Sequence, residues 1–343
     1  MKLSIIVPVY NMAADGLLSF CLDSLLNQTI TDYEIIAVND ASTDDSLSIL
    51  KTYEKQFPEK VKVISYSVNK RQGGAKNEGL KIAGGEWIGF VDSDDWVSPD
   101  CYEKLLAKAQ STGADMVGCD YNLVSEHTFT PGKIIRNNTM EQTGVLDKEK
   151  HKMLLMRPGS MVIKIYKNEI IQQNNLRFPE GIFYEDNCAG PVWSLYFNHF
   201  EKVEEPLYFY YQHVASTVHH ISMEKCMDRL RAADLLYEEC EKRGFLKEYF
   251  PEIEYRYTEL YYVITLFTYL QGVRHPKLSF AKSLREKTTE KFPDFARNPY
   301  YLQYTGAEEQ KWIALQQKSD LSFWLQYRLR LFVRKLRSVK SEI

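Results

Sequence analysis

The chain has 343 residues, of which 44% are hydrophobic and 26% charged, an ordinary globular composition for one large or two average domains. Its formal net charge of −3 excludes a globally basic nucleic-acid-binding protein, and we expect no nucleic-acid partner. The six cysteines have no CxxC spacing, and no histidine lies near them in a zinc-like pattern, which argues against structural zinc and is typical of a reducing compartment. Because no apolar run is long enough for a signal or a membrane span, we expect a cytoplasmic protein.

The first 120 residues alternate between strand and helix patterns. Apolar runs predict strands over 3–10, 33–38, 61–66, 87–91 and 115–119. The segments between them have helical spacing, at 17–28, 44–57, 74–83 and 99–110. This alternation predicts βαβ units and a mostly parallel sheet, with ligands at the carboxyl ends of its strands.

The remainder of the chain changes character at about residue 218. Residues 121–218 are mixed, with strand patterns at 162–166 and 206–212 and a helical pattern at 188–197. Beyond residue 222 the pattern is helical, over 223–242, 246–271, 277–291 and 308–316. We therefore expect two domains, residues 1–218 and 219–343.

Three acids, Asp92, Asp94 and Asp95, follow the predicted strand 87–91 directly. Carboxylates this close raise one another's pKa, and a divalent cation removes their repulsion. Mg²⁺ or Mn²⁺ is the expected ion because both prefer oxygen ligands. The alternative is a solvated acidic turn that caps the next helix.

Asp40 lies at another strand end, where its carboxylate could accept a hydrogen bond from the imide of a nucleobase. The alternative is a helix cap supplied by nearby Ser42 or Asp44. The glycine-rich segment 72–79 suits an anion at a helix start, although it matches neither a Walker A loop nor GxGxxG.

Asp186 and His213 are the remaining candidates. Asp186 precedes an apolar helical stretch and could act as a general base or merely cap that helix. His213 follows an aromatic strand pattern and could be a metal ligand, a phosphate contact or a structural residue.

Taken in order, these segments resemble the family 2 glycosyltransferases. The matching segments are 4–11, 35–40 with Ser42 and Asp44, 73–80, 85–88 leading into 92–95, and Glu185–Asp186 with Tyr210 and Tyr211 downstream. The resemblance covers residues 1 to about 218. It implies an α/β fold, with a GT-A (Rossmann-like) mixed sheet flanked by helices and followed by an α-helical C-terminal region.

The resemblance also assigns roles to individual residues. It implies nucleotide binding by Pro8, Tyr10, Asn11, Asp40, Lys76 and Asp92, with Asp40 reading the uracil imide. It implies Mn²⁺ or Mg²⁺ on Asp94 and Asp92, with His213 as a further candidate ligand. Asp186 matches the catalytic base, and Asp95, Trp96 and Glu185 are expected to contact the donor or acceptor sugar. Lys76 is a departure, because the family pattern has arginine there.

The function implied is inverting transfer of a sugar from a nucleotide sugar, a UDP-sugar, to an acceptor hydroxyl on a surface glycan or a lipid-linked oligosaccharide. One alternative is a catalytically idle scaffold that binds nucleotide sugar or glycan. Another is a sugar-phosphate nucleotidyltransferase, although the loop 11–16 lacks the basic residue such enzymes usually carry.

The segment 321–340 predicts a basic amphipathic helix. Leu321, Leu325, Leu329, Phe332 and Leu336 recur at helical spacing, and we expect Phe323, Trp324 and Tyr327 to widen this apolar side. Such a helix is typical of peripheral attachment to a membrane surface. The alternative is that the apolar stripe packs on the preceding helices.

Overall fold

The computed structural model describes residues 1–212 and 221–340, with side chains described as far as residue 333. The chain forms two compact units, Met1–Ser216 and Thr217–Ile343. The first unit contains the sheet and the second is helical.

Ten strands form one sheet within the described residues. They are β1 (Leu3–Val9), β2 (Tyr33–Asp40), β3 (Val61–Tyr66), β4 (Trp87–Phe90), β5 (Trp96–Val97), β6 (Met116–Val124), β7 (Lys133–Ile135), β8 (Gly144–Val145), β9 (Lys164–Lys167) and β10 (His199–Tyr211). Their order is β3-β2-β1-β4-β9-β6-β10-β5, with β7 beside β6 and β8 beside β10. Strands β1 to β4 are parallel, whereas β9 runs antiparallel between β4 and β6. The sheet is therefore mixed, as predicted.

Helices cover both faces of this sheet. They are α1 (Leu17–Leu26), α2 (Ser46–Gln56), α3 (Arg71–Ile82), α4 (Cys101–Thr112), α5 (Lys148–Met156), α6 (Asn168–Gln173) and α7 (Asp186–Ser194), with short 3₁₀ turns at Ala14–Gly16 and Met140–Gln142. Side chains of β1 alternate between two hydrophobic layers, with Ile5 and Val7 in one and Ile6 in the other. A strand buried on both faces reads as a continuous apolar run, which is why β1 and β2 were predictable.

Strand β10 is longer than the sequence predicted, because it begins at His199 rather than near Pro206. Its pairing with β6 shifts register on both sides of Pro206. Proline donates no backbone hydrogen bond, so a bulge is where a sheet can accept it. The proline therefore marks an irregularity inside the strand and not its start.

The second unit consists of helices. They are α8 (Met223–Lys242), α9 (Leu246–Thr258), α10 (Thr265–Gly272), α11 (Leu278–Lys291), α12 (Pro299–Tyr304), α13 (Ala307–Lys318) and α14 (Asp320–Lys340), with a 3₁₀ turn at Phe295–Arg297. The mixed sheet flanked by helices and the helical C-terminal region confirm the predicted fold class. None of the described helices combines the length and apolar character needed to cross a membrane.

One predicted helix, 246–271, is interrupted. A π-helical segment, Glu259–Ile264, separates α9 from α10. The wider turn frees a backbone carbonyl, and the hydroxyl of Thr265 donates to the carbonyl of Leu260 at 2.7 Å. The threonine side chain thus replaces a backbone hydrogen bond that the π-helical turn lacks. Hydrophobic spacing alone does not predict such a turn.

Candidate active site

The loops that follow β1 and β2 are bound to each other through Asn11. Its backbone N–H donates to Oγ of Ser42 at 3.0 Å, and its side-chain carbonyl accepts from the N–H of Thr43 at 2.7 Å. Asn11 and Ala41 have φ values of 53° and 58°, a region that residues other than glycine rarely adopt. Such strain persists where surrounding contacts enforce it, and it clusters at ligand sites. Asn11 therefore shapes this edge, and its contact with a nucleotide stays a prediction.

Tyr10 and Asp40 emerge side by side, because β1 and β2 pair in parallel register up to the residues preceding them. Tyr10 is 46% exposed, whereas Asp40 is buried and its Oδ1 accepts a hydrogen bond from the N–H of Lys70 at 2.7 Å. The exposed ring of Tyr10 offers a stacking face, whereas Asp40 is 2% exposed and anchored beside it, so its contact with a uracil imide stays a prediction. Pro8 lies buried inside β1, two residues before Tyr10, so it does not itself offer a surface for the predicted nucleotide contact.

The acidic turn after β4 contains one structural carboxylate and two partly exposed ones. Oδ2 of Asp95 accepts from the hydroxyl of Tyr208 at 2.7 Å, and its Oδ1 accepts from the N–H of Tyr211 at 2.8 Å. Asp95 is 1% exposed, so it fixes the turn to β10 and does not fit the predicted sugar contact. Asp92 and Asp94 retain partial exposure. Sequence reasoning missed Tyr208, which only the pairing of β5 with β10 brings to this turn.

Trp96 belongs to a packed aromatic cluster. Its ring stacks on Phe209 at 5.8 Å and meets the edges of Phe20 and His127 at 4.9 and 5.9 Å. Because Trp96 is 1% exposed, the predicted sugar contact does not fit this arrangement. The cluster supports the backbone that follows the acidic turn.

Asp92 lies among charged groups from several elements. Burial raises its pKa to about 7, and repulsion from Asp94, Glu185 and Asp186 adds to this effect while Lys76 opposes it. Nε2 of Gln72, at the start of α3, donates to Oδ1 of Asp92. The structure therefore brings the acidic turn within electrostatic range of the Glu185–Asp186 pair.

The glycine-rich segment on α3 packs against the loop that precedes Asp186. A Cβ on Gly73 would lie 2.0 Å from the carbonyl oxygen of Pro179. Asn77 exchanges hydrogen bonds with Phe178, donating to its carbonyl and accepting from its N–H, both at 2.9 Å. Close backbone packing thus explains the glycine at position 73. The role of Asn77 in holding the loop before Asp186 was not predicted from the sequence.

Lys76 also links α3 to the segment that precedes Asp186. Its ammonium group lies 2.9 Å from Oε1 of Glu185, and the two side chains are 3% and 6% exposed. The predicted nucleotide contact for Lys76 and the predicted sugar contact for Glu185 do not fit these positions, because each side chain is buried against the other.

Asp186 is exposed and begins α7. The N-cap residue of α7 is Glu185, whose side chain makes no capping hydrogen bond. The carboxylate of Asp186 accepts from the backbone N–H of Asn187 in the first turn. Desolvation by the surrounding protein atoms, with repulsion from Glu185, raises the pKa of Asp186 to about 6. The preceding Tyr184 has a φ of 66°, a further strained position at this edge.

The predicted metal ligands are Asp92, Asp94 and His213. Within residues 1–212 and 221–340, no group of three or more His, Cys, Asp or Glu side chains is arranged to hold a metal ion. His213 lies outside the described residues. Asp92 and Asp94 supply the oxygen chemistry that Mn²⁺ and Mg²⁺ prefer, and a cation would relieve the repulsion between these carboxylates.

Residues 4–172 match the family model described as glycosyl transferase family 2. EpsH of Bacillus subtilis is 33% identical over 291 residues, which cover 83% of this chain and 80% of EpsH. YibD of Escherichia coli is 33% identical over 223 residues, 63% of this chain and 62% of YibD. A poly(ribitol-phosphate) beta-glucosyltransferase of Bacillus spizizenii is 36% identical over 190 residues, 53% of this chain and 27% of that protein. The chain thus spans less than two thirds of the length of some of these relatives.

Among solved structures, Staphylococcus aureus TarS residues 1–349, in complex with UDP-GlcNAc, has a TM-score of 0.64 with this chain. The match covers 93% of this chain and 92% of that chain at 20% sequence identity. At this identity the likeness shows a common fold.

Proposed function

Because the chain belongs to glycosyl transferase family 2 and has the GT-A fold, we propose that it transfers a sugar from a UDP-sugar to an acceptor hydroxyl with inversion. The observation that carries the proposal is that chemically distinct groups lie at one edge of the sheet. They are the exposed ring of Tyr10 beside Asp40, the carboxylates of Asp92 and Asp94, and the exposed carboxylate of Asp186.

The donor is proposed from the Tyr10–Asp40 pair. A uracil ring can stack on Tyr10 while its imide N–H donates to Asp40, whose orientation is held by the N–H of Lys70. TarS, which has the same fold, has been solved with UDP-GlcNAc. A UDP-sugar is therefore the proposed donor.

Asp92 and Asp94 are proposed to hold Mn²⁺ or Mg²⁺ next to the diphosphate of the donor. When bound, such an ion supplies positive charge that offsets the charge developing on the leaving UDP. Gln72 orients Asp92 from α3, and Asp95 fixes the turn that carries both carboxylates.

Asp186 is proposed as the general base. The acceptor oxygen forms a bond to the anomeric carbon, the bond from that carbon to the diphosphate oxygen breaks, and Asp186 takes the acceptor's proton. With a pKa of about 6 this carboxylate is ionised at neutral pH, and because that pKa lies close to the working pH it is also basic enough to accept a proton. Direct displacement of this kind inverts the anomeric configuration without a covalent intermediate on the protein.

The acceptor is proposed to be a surface glycan, a polyol-phosphate polymer or a lipid-linked oligosaccharide. The name of the Bacillus spizizenii relative specifies poly(ribitol-phosphate) as its acceptor. The proposed location is the cytoplasm, with peripheral attachment to the membrane where such acceptors are built.

The test is release of UDP from a panel of UDP-sugars in Mn²⁺, with and without acceptor, and NMR of the product's anomeric configuration. We expect acceptor-stimulated release from one donor and an inverted product. Donor binding without release from any sugar would indicate an idle binding protein. Release of pyrophosphate from UTP and a sugar phosphate would indicate a nucleotidyltransferase.

A further inference from the structure

Helix α14 has two apolar faces, and one of them is covered. On that face Phe323 and Tyr327 are 0% and 2% exposed. The ring of Trp312 on α13 meets both, at 6.3 and 5.1 Å, and Phe267 on α10 lies 5.7 Å from Tyr327. These rings fasten α14 to its neighbours within the second unit. The prediction that Phe323 and Tyr327 widen the exposed apolar side is therefore wrong.

The other apolar face is open. Leu321, Leu325, Leu329 and Phe332 are 58%, 61%, 64% and 60% exposed. Their separations of four, four and three residues align them along one side of the helix, and we call these four residues the exposed stripe. Because the covered face already anchors α14, packing of this stripe on the preceding helices is not what holds the helix in place. A contiguous apolar surface of this kind usually marks a contact with a partner or a membrane.

Positive charge borders the exposed stripe. Arg328 is exposed, and it lies three residues after Leu325 and four before Phe332, which places it next to both. Arg330, by contrast, pairs with Glu308 of α13. Residues 321–340 contain no acidic residue, and their basic residues are Arg328, Arg330, Arg334, Lys335, Arg337 and Lys340.

We propose that the exposed stripe of α14 docks on an anionic lipid surface. Such a surface provides an apolar layer for the leucines and phenylalanine, and negative headgroups for Arg328 and for a segment whose sequence is otherwise basic. A second copy of the chain fits less well. A symmetric contact through the stripe would bring Arg328 and its copy into one interface, and 321–340 has no carboxylate to compensate them.

This docking extends the proposed function, because a lipid-linked acceptor lies at the same surface, but its test needs no sugar transfer. Full-length protein is sedimented with phosphatidylcholine vesicles that contain or lack phosphatidylglycerol, at low and high salt. We expect binding to the anionic vesicles only, weakened by salt. The double variant Leu325→Ser/Leu329→Ser should lower the partition coefficient about tenfold or more, because two exposed apolar side chains are lost.

The matched control is Leu302→Ser, which removes a leucine of similar exposure, 56%, from α12. Circular dichroism and thermal melting confirm that each variant is folded. Equal binding by wild type and the double variant, or an equal loss in the control, overturns the proposal. Stripe-dependent self-association without vesicle binding also overturns it and assigns the stripe to a second copy. UDP release measured without vesicles reports separately on the proposed function.

Discussion

The ammonium group of Lys76 lies 2.9 Å from a carboxylate oxygen of Glu185, a residue 109 positions later, and both side chains are buried. Burial alone would lower the pKa of Lys76, but the carboxylates of Glu185, Asp92 and Asp186 outweigh it and raise that pKa. The lysine therefore stays charged. Since Glu185 immediately precedes Asp186, this ion pair sets the position of the proposed base relative to α3.

Replacing Lys76 by Met should destabilise the protein by about 3–5 kcal/mol, because it leaves the carboxylate of Glu185 buried without its cation. The measurement is the free energy of unfolding in urea. Lys81→Met on the same helix is the control, since the 58%-exposed Lys81 side chain makes only a surface ion pair with Glu78. Lys76→Arg should retain most of the stability. If Lys76→Met matches the Lys81 variant, the pair does not stabilise the loop.

The strands and the acidic cluster were predictable because their signals are local. A strand buried on both faces must be apolar throughout, so β1 and β2 are visible as runs of residues. Because β2, β1 and β4 are neighbours and run parallel, their carboxyl ends, with Asp40 and Asp92, lie at one edge of the sheet.

The roles of Lys76, Asp95 and Trp96 were not predictable from local sequence, because they depend on partners far along the chain. Asp95 is buried by Tyr208 on β10, and Trp96 by Phe209 on the same strand. From sequence alone, a charged or aromatic side chain next to a motif is readily assigned to a ligand, because the distant residue that contacts it in the fold is not visible. The two faces of α14 escaped prediction similarly, because its spacing does not identify which apolar side α10 and α13 will cover.

Asp186→Asn should preserve donor binding and lower kcat by roughly 10²–10⁴, the usual contribution of a general base. The amide has nearly the shape of the carboxylate but cannot take the acceptor's proton. Asp45→Asn is the control, because Asp45 is exposed at the start of α2 and makes no side-chain cap hydrogen bond. Steady-state kinetics with calorimetric UDP binding separate the two effects. A loss of less than about tenfold would assign the base to another residue.

Asp94→Asn should abolish transfer and weaken UDP binding in Mn²⁺ while leaving thermal stability near that of wild type. The reason is loss of one of the two partly exposed carboxylates proposed to hold the ion. Calorimetry of UDP binding with Mn²⁺ and with EDTA provides the measurement, since the variant should lose the dependence on metal. Full wild-type activity in excess EDTA contradicts the metal assignment.

Tyr10→Ala should weaken UDP binding by about 1–3 kcal/mol, the range found for stacking of a base on an aromatic ring. Tyr10 is 46% exposed, so its removal should change the unfolding free energy little. Phe57→Ala is the control, because Phe57 is 40% exposed at the end of α2. Unchanged UDP affinity in Tyr10→Ala would remove the ring from the proposed nucleotide site.

Lys164, on β9, should make stability depend on pH. Its ammonium group is buried, donates to the carbonyls of Pro158 and Ser160 at 2.9 and 2.7 Å, and has its pKa lowered by burial to about 7. An unfolded lysine has a pKa of about 10.4, so above pH 7 the unfolded chain binds more protons than the folded one, and stability rises with pH. Below pH 7 both states are protonated and the cost of burying the charge is present in full.

The free energy of unfolding of wild type, relative to that of Lys164→Met, should therefore rise by about 1.4 kcal/mol per pH unit as pH rises from 7 towards the unfolded pKa. Urea unfolding of both proteins across this window measures the difference, in which the titrations they share cancel. A difference that does not change with pH would mean that Lys164 is buried without a lowered pKa.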